Sequence, residues 1–465
     1  MDRDAMHRLP GNISGVVPSL CLKAELGPPR SECGVGALMA WAGRLWAVTY
    51  VSHKQATGVG TGLYEIDESL GLIKRPESRT GTYTNRFVHY PSNQLIIGPH
   101  VIDSERNVRT VEPLVDVRLT GTMAHLHDPQ HMVYVLGMEG EFIELDVRTL
   151  QTRQIADLTK ELGISDRRRV HFKAGYSQAG RVVVANNTYD ELEFTGSAAD
   201  GRLAEWNGDE WRIIERAPFV EVIGRGGFAG TMFATGSDRA SAILKVFTES
   251  DGQWKTYRLP KASHTFDHMW QTEWPRIRET EHERYLMDCH GMFYELSPWA
   301  YSNRVWGIRP ISTHLCVLGD FCSFCGMLVI GTDNASPSGG RNHLAGEPQS
   351  GLWFGKTDDL WQLGKPSGWG GPWWDTPVSA GASSDPYLMT GFDKKALHLA
   401  HEADEAVSFT VEVDFLGNGA WREYGRFSVP PRGYVHHEFP TGFSAHWARV
   451  KASLDCVATA YFVYT

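Results

Sequence analysis

The sequence predicts an all-β fold, a seven-bladed β-propeller with a small C-terminal β-sandwich-like appendage, and three observations carry that prediction. The first is a recurring phrase, a short strand running into an acidic residue and a polar turn: GLYEID (62–67), GEFIELD (140–146), GRLAEW (201–206), SAILKVF (241–247) and GMFYEL (291–296). These read as the outer strands of successive blades, because four-stranded units at roughly 40 to 50 residue spacing are the sequence signature of a propeller. The second is a hairpin phrase, an apolar strand, a tight turn and a second apolar strand with a polar end, as in ALMAWAGRLWAVTYVSH, RFVHYPSNQLIIGPH, VHFKAGYSQAGRVVVANN and CSFCGMLVIGTDN. Its turns at Ala42-Gly43, Ser92-Asn93 and Ala179-Gly180 suit two-residue hairpins. The third is composition: 48 Gly with 16 Trp and 16 Tyr in 465 residues fits many short strands and turns around a large core.

In chain order, the Pro- and Gly-rich opening segment, 1–33, is expected to wrap the ring, and the propeller to occupy 34–377. Blades are placed at about 34–77, 83–113, 119–158, 168–216, 219–259, 264–310 and 313–375, with one helical candidate at 155–162. The small polar linker SAGASSDPY suits a boundary, and from about Val378 the blade phrase stops. VSFTVEVDF, WREYGRFSV, GYVHHEF and the closing AHWARVKASLDCVATAYFVYT alternate as strands, so 378–465 reads as the appendage.

Several classes are excluded or disfavoured. No window approaches the apolar length of a membrane span, and the N-terminus lacks the apolar core of a secretory signal, so the expectation is a cytoplasmic chain unless a signal has been removed. A net charge of -10 with no basic stripe beyond Arg167-Arg168-Arg169 argues against nucleic acid. Seven scattered cysteines make no disulfide framework, and the single CxxC at Cys322 and Cys325, without a second pair, reads as buried thiols rather than a metal site.

Aligning the blades by their turns predicts a polar rim at one mouth of the channel. Asn85 is placed opposite His100, and His171 opposite Asn186, with His53, Asn187, Asp333 and Asn334 on the same face. Blade 6 would add His268, Trp270, Asp288 and His290, whereas His125 and His127 fall near a turn and read as structural. A single His or Asn at a strand end is usually structural; the convergence from several blades is what suggests a site. The bland alternative is a rim whose polar groups only tie loops together.

The phrases TYVSHKQATGVGTGLYEID, GLWFGKTDDLWQLGKPSGWGGPWWD, SDPYLMTGFDKKALHLAHE and HEFPTGFSAHWARVKAS resemble the seven-bladed propeller enzymes that remove terminal L-rhamnose from glucuronate, classed both as glycoside hydrolase family 145 and as polysaccharide lyase family 42. The resemblance spans blade 1 to the C-terminal strands. It implies cleavage of an α-1,4 rhamnosyl-glucuronate bond, with a uronate-containing oligo- or polysaccharide as partner. Hydrolysis would ordinarily need two carboxylates flanking the bond, whereas β-elimination needs a neutraliser for the uronate carboxylate, a base for the C5 proton and an acid for the leaving oxygen. A rim richer in His and Asn than in carboxylates favours elimination. On that expectation His100 and His171 are base and acid, with Tyr189 an alternate acid, and Arg86 and Asn187 hold the carboxylate. Asn85, Asn186, His290 and Asn334 would line the substrate, Trp270 would stack on a sugar, and His53, from the TYVSHK phrase, is a further catalytic candidate. No cofactor is required, although Asp288, Asp333 and Asn334 could offer oxygen ligands to a divalent cation such as calcium. A glycosidase on the same linkage and a non-catalytic binding propeller are the alternatives.

Overall fold

The chain folds as a β-propeller. The computed structural model describes residues 19–22, 33–51, 61–165, 170–188, 201–225, 230–262, 274–300, 304–314, 316–337 and 346–465. Among these, seven first strands line the axis: Cys33–Trp41, Arg86–His89, Leu119–Ala124, Phe172–Gln178, Phe219–Arg225, Arg276–Glu281 and Val317–Phe324. Each touches the next and the seventh touches the first, so the ring is closed. Blades 1 to 6 each continue outward through three more antiparallel strands in chain order. The recurring acidic phrase occupies the third position, one strand inside the blade edge, where its alternate side chains are covered on both faces.

Blade 7 has only three strands of its own. Its outermost strand is Ser19–Leu22, which pairs antiparallel with residues 350–353. The start of the chain is thereby hydrogen-bonded onto its last blade, which closes the circle and covers an edge that would otherwise present unpaired backbone groups.

The turns explain the tight packing at one face. Ala42 (φ 49°) with Gly43 (φ 71°), and Ala179 (φ 53°) with Gly180 (φ 69°), take the doubly left-handed conformation of a type I′ hairpin, whose twist matches that of the strands. Ser92-Asn93 is different: His89 pairs with Gln94 across a four-residue loop, a 3₁₀ turn at Tyr90–Ser92 followed by left-handed Asn93, because Pro91 favours the turn start. Near the opposite face, five of the seven first strands carry a bulge close to their start, and two of the bulged residues are Gly36 and Gly319. A Cβ there would lie 1.9 Å from the Tyr83 carbonyl oxygen and 1.7 Å from that of Val35, so the backbones of neighbouring blades meet only because no side chain intervenes.

Apolar clusters fill the spaces between adjacent blades, for example Val35, Leu38, Cys322 and Phe354 between blades 7 and 1, and Ala174, Val183, Phe219 and Met232 between blades 4 and 5. The cluster between blades 5 and 6 runs on without a break into the C-terminal region. There, one sheet (Tyr387–Leu388, Trp447–Ala452, Val407–Asp414, Arg422–Val429) is added to the outer strand of blade 5 through a parallel Arg258–Tyr387 pairing. The Arg258 guanidinium fixes this junction by bridging Asp238 at 2.8 Å and linker Asp385 at 2.9 Å. The second sheet (Gly368–Val378, Cys456–Tyr464, Lys395–His401, Tyr434–Glu438) packs over the first, burying Phe409, Val411, Trp447, Leu397 and Phe462.

Three sequence expectations shift in detail. Residues 368–378 pair with the C-terminal strand Cys456–Tyr464 rather than with blade 7, so the first strand of the sandwich begins at Gly368 and not at 378. The helix is one turn, Leu158–Glu161, because Ile155–Asp157 remain in the fourth strand of blade 3. Of the CxxC pair, Cys322 is a buried thiol, whereas Cys325 sits exposed in the hairpin turn with φ 50°. The Arg167-Arg168-Arg169 run lies outside the described residues.

Candidate functional site

The principal cavity is the axial channel. It has a volume of about 470 Å³, and its wall is built from the first strands of blades 1 to 6, in the size range of small-molecule sites. Thr84, Asn85, Arg86, Thr122, Glu221 and Arg278 form its inner part. Tyr90, Tyr176, Arg225, Glu279 and Tyr285 surround the end nearer the turns between first and second strands. Among the described residues the cavity thus reaches from Thr84 and Asn85, at the start of the blade 2 first strand, to Tyr90 and Arg225 near the hairpin turns.

A chain of buried charges crosses the ring beneath this wall. Asp320 Oδ1 accepts from Arg278 Nε at 2.8 Å, and its Oδ2 lies 3.1 Å from Arg86 Nε and accepts from the Leu38 amide at 2.8 Å. Arg278 Nη1 also donates to Glu221 Oε2 at 2.8 Å, and Arg276 Nη1 lies 3.9 Å from the same oxygen. Arg276 spends its other donors on the carbonyls of Gly319 and Pro275, at 3.0 and 2.9 Å. Lys173 Nζ and the Arg276 guanidinium each lie 5.0 Å from the Trp274 ring, which packs against Tyr50. Among the described residues, Arg86, Arg276 and Arg278 thus surround Glu221 and Asp320, with Lys173 against Trp274, and all are nearly or fully buried except Arg86, which is partly so. Burial by itself would raise the Asp320 carboxyl, but Arg278, Arg86 and Arg276 outweigh it and hold the group below the usual carboxylate range.

Two polar atoms on the cavity wall have no hydrogen-bond partner among the described residues. One is Asn85 Oδ1; the Asn85 amide nitrogen is already committed to Gly98 O (3.1 Å) and Thr122 Oγ1 (2.9 Å). The other is Arg225 Nη1, whose nearest carboxylate, Glu279, is 3.6 Å away, outside hydrogen-bond reach. The Arg225 guanidinium is held in place by the Trp299 ring 4.9 Å below it. The wall therefore offers one spare donor and one spare acceptor beside a cationic interior. The phenol of Tyr176 is pushed up to about 12 by burial, with the Tyr90 phenolate form opposing it further, and the Tyr285 phenol is also raised by burial, so both stay protonated as donors.

The sequence-derived site residues divide into three groups. Asn85 and Arg86 are on the cavity wall; both face inward because the wall follows the start of the strand, although Arg86 is committed to Asp320 and to the Leu38 carbonyl (2.7 Å). The second group is not on that wall. His100 begins the third strand of blade 2, opposite Ile97 rather than Asn85, and is completely buried with Nδ1 3.2 Å from Thr110 Oγ1; burial, reinforced by Arg79, lowers it to about 4. His171 precedes the first strand of blade 4, and its carbonyl accepts from the Asn187 amide (2.9 Å), while Phe172, not His171, is the residue opposite Asn186. Asn186 Oδ1 accepts from the Thr188 amide, and Asn187 is buried with neither side-chain polar atom hydrogen-bonded among the described residues. His290 turns the corner between the second and third strands of blade 6, where burial lowers it far below its ordinary value, and its carbonyl accepts from Ala262. In the third group, His53, Tyr189, Trp270 and His268 lie outside the described residues, as do the side chains of Asp333 and Asn334, whose backbones pair with Ser350 and Gln349.

For a cation, Asp288 is committed to His314 Nε2 at 2.9 Å, and no cluster of three metal-ligating side chains occurs among the described residues. His125 stacks on Tyr134 (4.3 Å between centroids) and reaches Glu144 at 3.2 Å, a blade contact.

Apart from Arg86, the channel charges have no counterpart among the residues the sequence singles out. They come one or two per blade, so no local motif announces them; the nearest signal is the alternation Arg276-Ile-Arg278-Glu279 at the start of a first strand.

No protein-family model matches the chain, and no curated protein does. Among solved structures it is similar to the RRP9 WD40 repeats, at 9% identity and a TM-score of 0.41, over 71% of this chain and 100% of that one. It is similar likewise to the Myceliophteria thermophila Cps50 (Swd1) β-propeller domain, at 11% identity and 0.41, over 72% of this chain and 98% of that one. U3-55K matches at 9% identity and 0.41, with the same two coverages.

Proposed function

We propose that the protein is a binding propeller whose axial channel takes an acidic sugar, the carboxylate of a uronate-containing oligosaccharide docking on Arg225 above the Arg278–Arg86 interior. The observation that supports this most is an Arg225 Nη1 with no hydrogen-bond partner among the described residues, on a wall whose described residues include three arginines, Arg86, Arg225 and Arg278, against two carboxylates, Glu221 and Glu279. In a walled, low-dielectric site such an excess favours an anion more than it would in water. Asn85 Oδ1 would accept from a sugar hydroxyl, and the Tyr176 and Tyr285 phenols would donate.

Rhamnosyl-glucuronate elimination is the second reading, and one observation favours it. Arginine beside a protonated phenol supplies two of the three groups that elimination needs, a carboxylate neutraliser and an acid for the leaving oxygen. The third, a base, would not be Tyr176 or Tyr285, whose raised phenols resist ionisation, nor His100, which lies off the cavity wall.

The test is a calorimetric titration with a rhamnose-capped glucuronate oligosaccharide and with its carboxyl-reduced form, followed in parallel by ultraviolet absorbance and by sugar release. Binding of the acidic form alone, with neither new absorbance nor free rhamnose, is the expected result. Absorbance from a C4–C5 double bond would establish elimination, rhamnose without absorbance would establish hydrolysis, and equal or absent binding of the two forms would overturn the channel site.

A further inference from the structure

The outward face of the second C-terminal sheet carries aromatic rings where a solvated sheet would carry mixed polar groups. Strand alternation turns Leu397, Leu399, Ala460 and Phe462 into the core and leaves His398, Tyr461, Tyr434 and His436 on the outer side. Register puts three of them in line across neighbouring strands: Tyr461 is paired with His398, and His398 with His436. Trp374, from the edge strand, stands against Tyr461 with centroids 5.1 Å apart and planes at 67°.

Two of the rings make a flat plate, and a third lies beside them. The Tyr434 hydroxyl lies 2.7 Å from His398 Nδ1, with the ring centroids 6.0 Å apart and the planes within 18°. A phenol hydroxyl and an imidazole nitrogen both bond in their ring planes, so these rings meet edge to edge and present their faces together to solvent. The His436 ring lies beside Tyr434, nearly parallel to it, with centroids 6.2 Å apart and planes within 20°. Tyr434 is 55% exposed and Trp374 39%, which leaves large apolar area in water. Polar groups border the plate: Thr459 Oγ1 donates to Asp375 Oδ1 at 3.1 Å, beside the Trp374 corner. Burial, with His436 nearby, lowers the His398 imidazole, which keeps the centre of the plate uncharged at neutral pH.

The size of the patch argues against a protein occupant. Three inter-strand spacings of about 4.8 Å give a row on the order of 14 Å long and one ring wide, far below the roughly 800 Å² per partner that a stable protein interface buries. A pyranose with equatorial hydroxyls has the matching shape, a flat C–H face for the plate and hydroxyls at its rim for the bordering Thr459, Asp375 and imidazole nitrogens. We propose that this face is a stacking site for a neutral β-1,4-linked glycan, with a sugar ring lying on the His398–Tyr434 plate, His436 beside it, and Trp374 and Tyr461 forming a wall.

The site shares no residue with the channel, and a neutral ligand tests it separately. Full-length protein is titrated calorimetrically with cellohexaose and with xylohexaose, alongside Tyr434→Ala, Tyr434→Trp and Arg225→Ala variants whose folding is checked by thermal unfolding. Binding of at least one hexaose is expected. Tyr434→Ala should weaken it about tenfold or more, Tyr434→Trp should restore it to within about threefold, and Arg225→Ala should leave it unchanged. Absence of binding to both hexaoses, or equal binding by the wild type and Tyr434→Ala, overturns the proposal. So does self-association of the wild type that Tyr434→Ala abolishes in sedimentation, because the occupant would then be a second copy of the chain.

Discussion

The axial channel and the outer sheet of the sandwich handle polarity in opposite ways. In the channel, ionised groups are removed from water and are held by partners on other blades, as Asp320 of blade 7 is held between Arg86 of blade 2 and Arg278 of blade 6. On the outer sheet, uncharged rings remain in water and are arranged by a single hydrogen bond, Tyr434 to His398. The ring therefore carries its candidate chemistry where a change threatens folding, and the sandwich carries it where a change costs little. Residues that would serve binding can be separated from residues that hold the fold only by finding, within the channel, the group that is not bridged. Arg225 comes nearest to that group: both of its carboxylates, Glu279 at 3.6 Å and Glu283 at 4.0 Å, lie beyond hydrogen-bond distance, and its face rests on Trp299.

The contrast is broken most forcefully at Asp320. Asp320→Ala leaves Arg86 and Arg278 buried without their shared carboxylate, and a loss of about 3–5 kcal/mol is expected in urea unfolding. The same group shapes the acid limb of stability. Its folded value lies below the unfolded one, so its contribution is complete above the ordinary aspartate value of about 4 and disappears as pH falls through the lower folded value. An Asp320→Ala protein as stable as the wild type would remove the bridged-charge account of the ring.

His100 sharpens the comparison at a milder pH. It is buried, and its lowered value of about 4 means that the unfolded chain takes up a proton before the folded one does. Stability it contributes is complete above about 6.5 and is lost progressively as pH falls to about 4, at most about 3 kcal/mol. His100→Gln should unfold with a correspondingly shallower dependence between those limits; an unchanged slope would show that His100 titrates normally. On the outer sheet, by contrast, Tyr434→Ala should change stability by no more than about 0.5 kcal/mol in the same measurement, as exposed substitutions do.

How much of this was legible in the sequence follows from the range of the interactions. The blades were legible because hairpin turns and two-residue alternation are local: Ala42-Gly43 and Ala179-Gly180 mark their turns without reference to the rest of the chain. Blade 7 was less so, because its fourth strand comes from Ser19–Leu22, more than three hundred positions away. The channel was legible only at Asn85 and Arg86. Which side of a first strand faces the axis depends on the bulges at Gly36, Thr120, Lys173, Val220 and Gly319, and a one-residue bulge reverses the inward set. For that reason Phe172, and not His171, stands opposite Asn186; blade 2 has no such bulge, and His100 misses Asn85 because the second strand ends at Ile97 and the turn at Gly98-Pro99 carries His100 into the third strand, leaving Gly98 to meet the Asn85 amide. The aromatic plate depends on the pairing of strands 395–401 and 434–438, which the alternation in KALHLAH and YVHHE hints at but does not align.

The central claim is that Arg225, the least bridged cation of the channel, anchors an acidic sugar. Its most direct test is a calorimetric titration of wild type and Arg225→Ala with the rhamnose-capped glucuronate oligosaccharide at low and moderate salt. The account predicts binding that weakens with salt, falls about tenfold or more in Arg225→Ala (about 1.4 kcal/mol) and leaves thermal unfolding nearly unchanged. Equal affinity in the two proteins would contradict it.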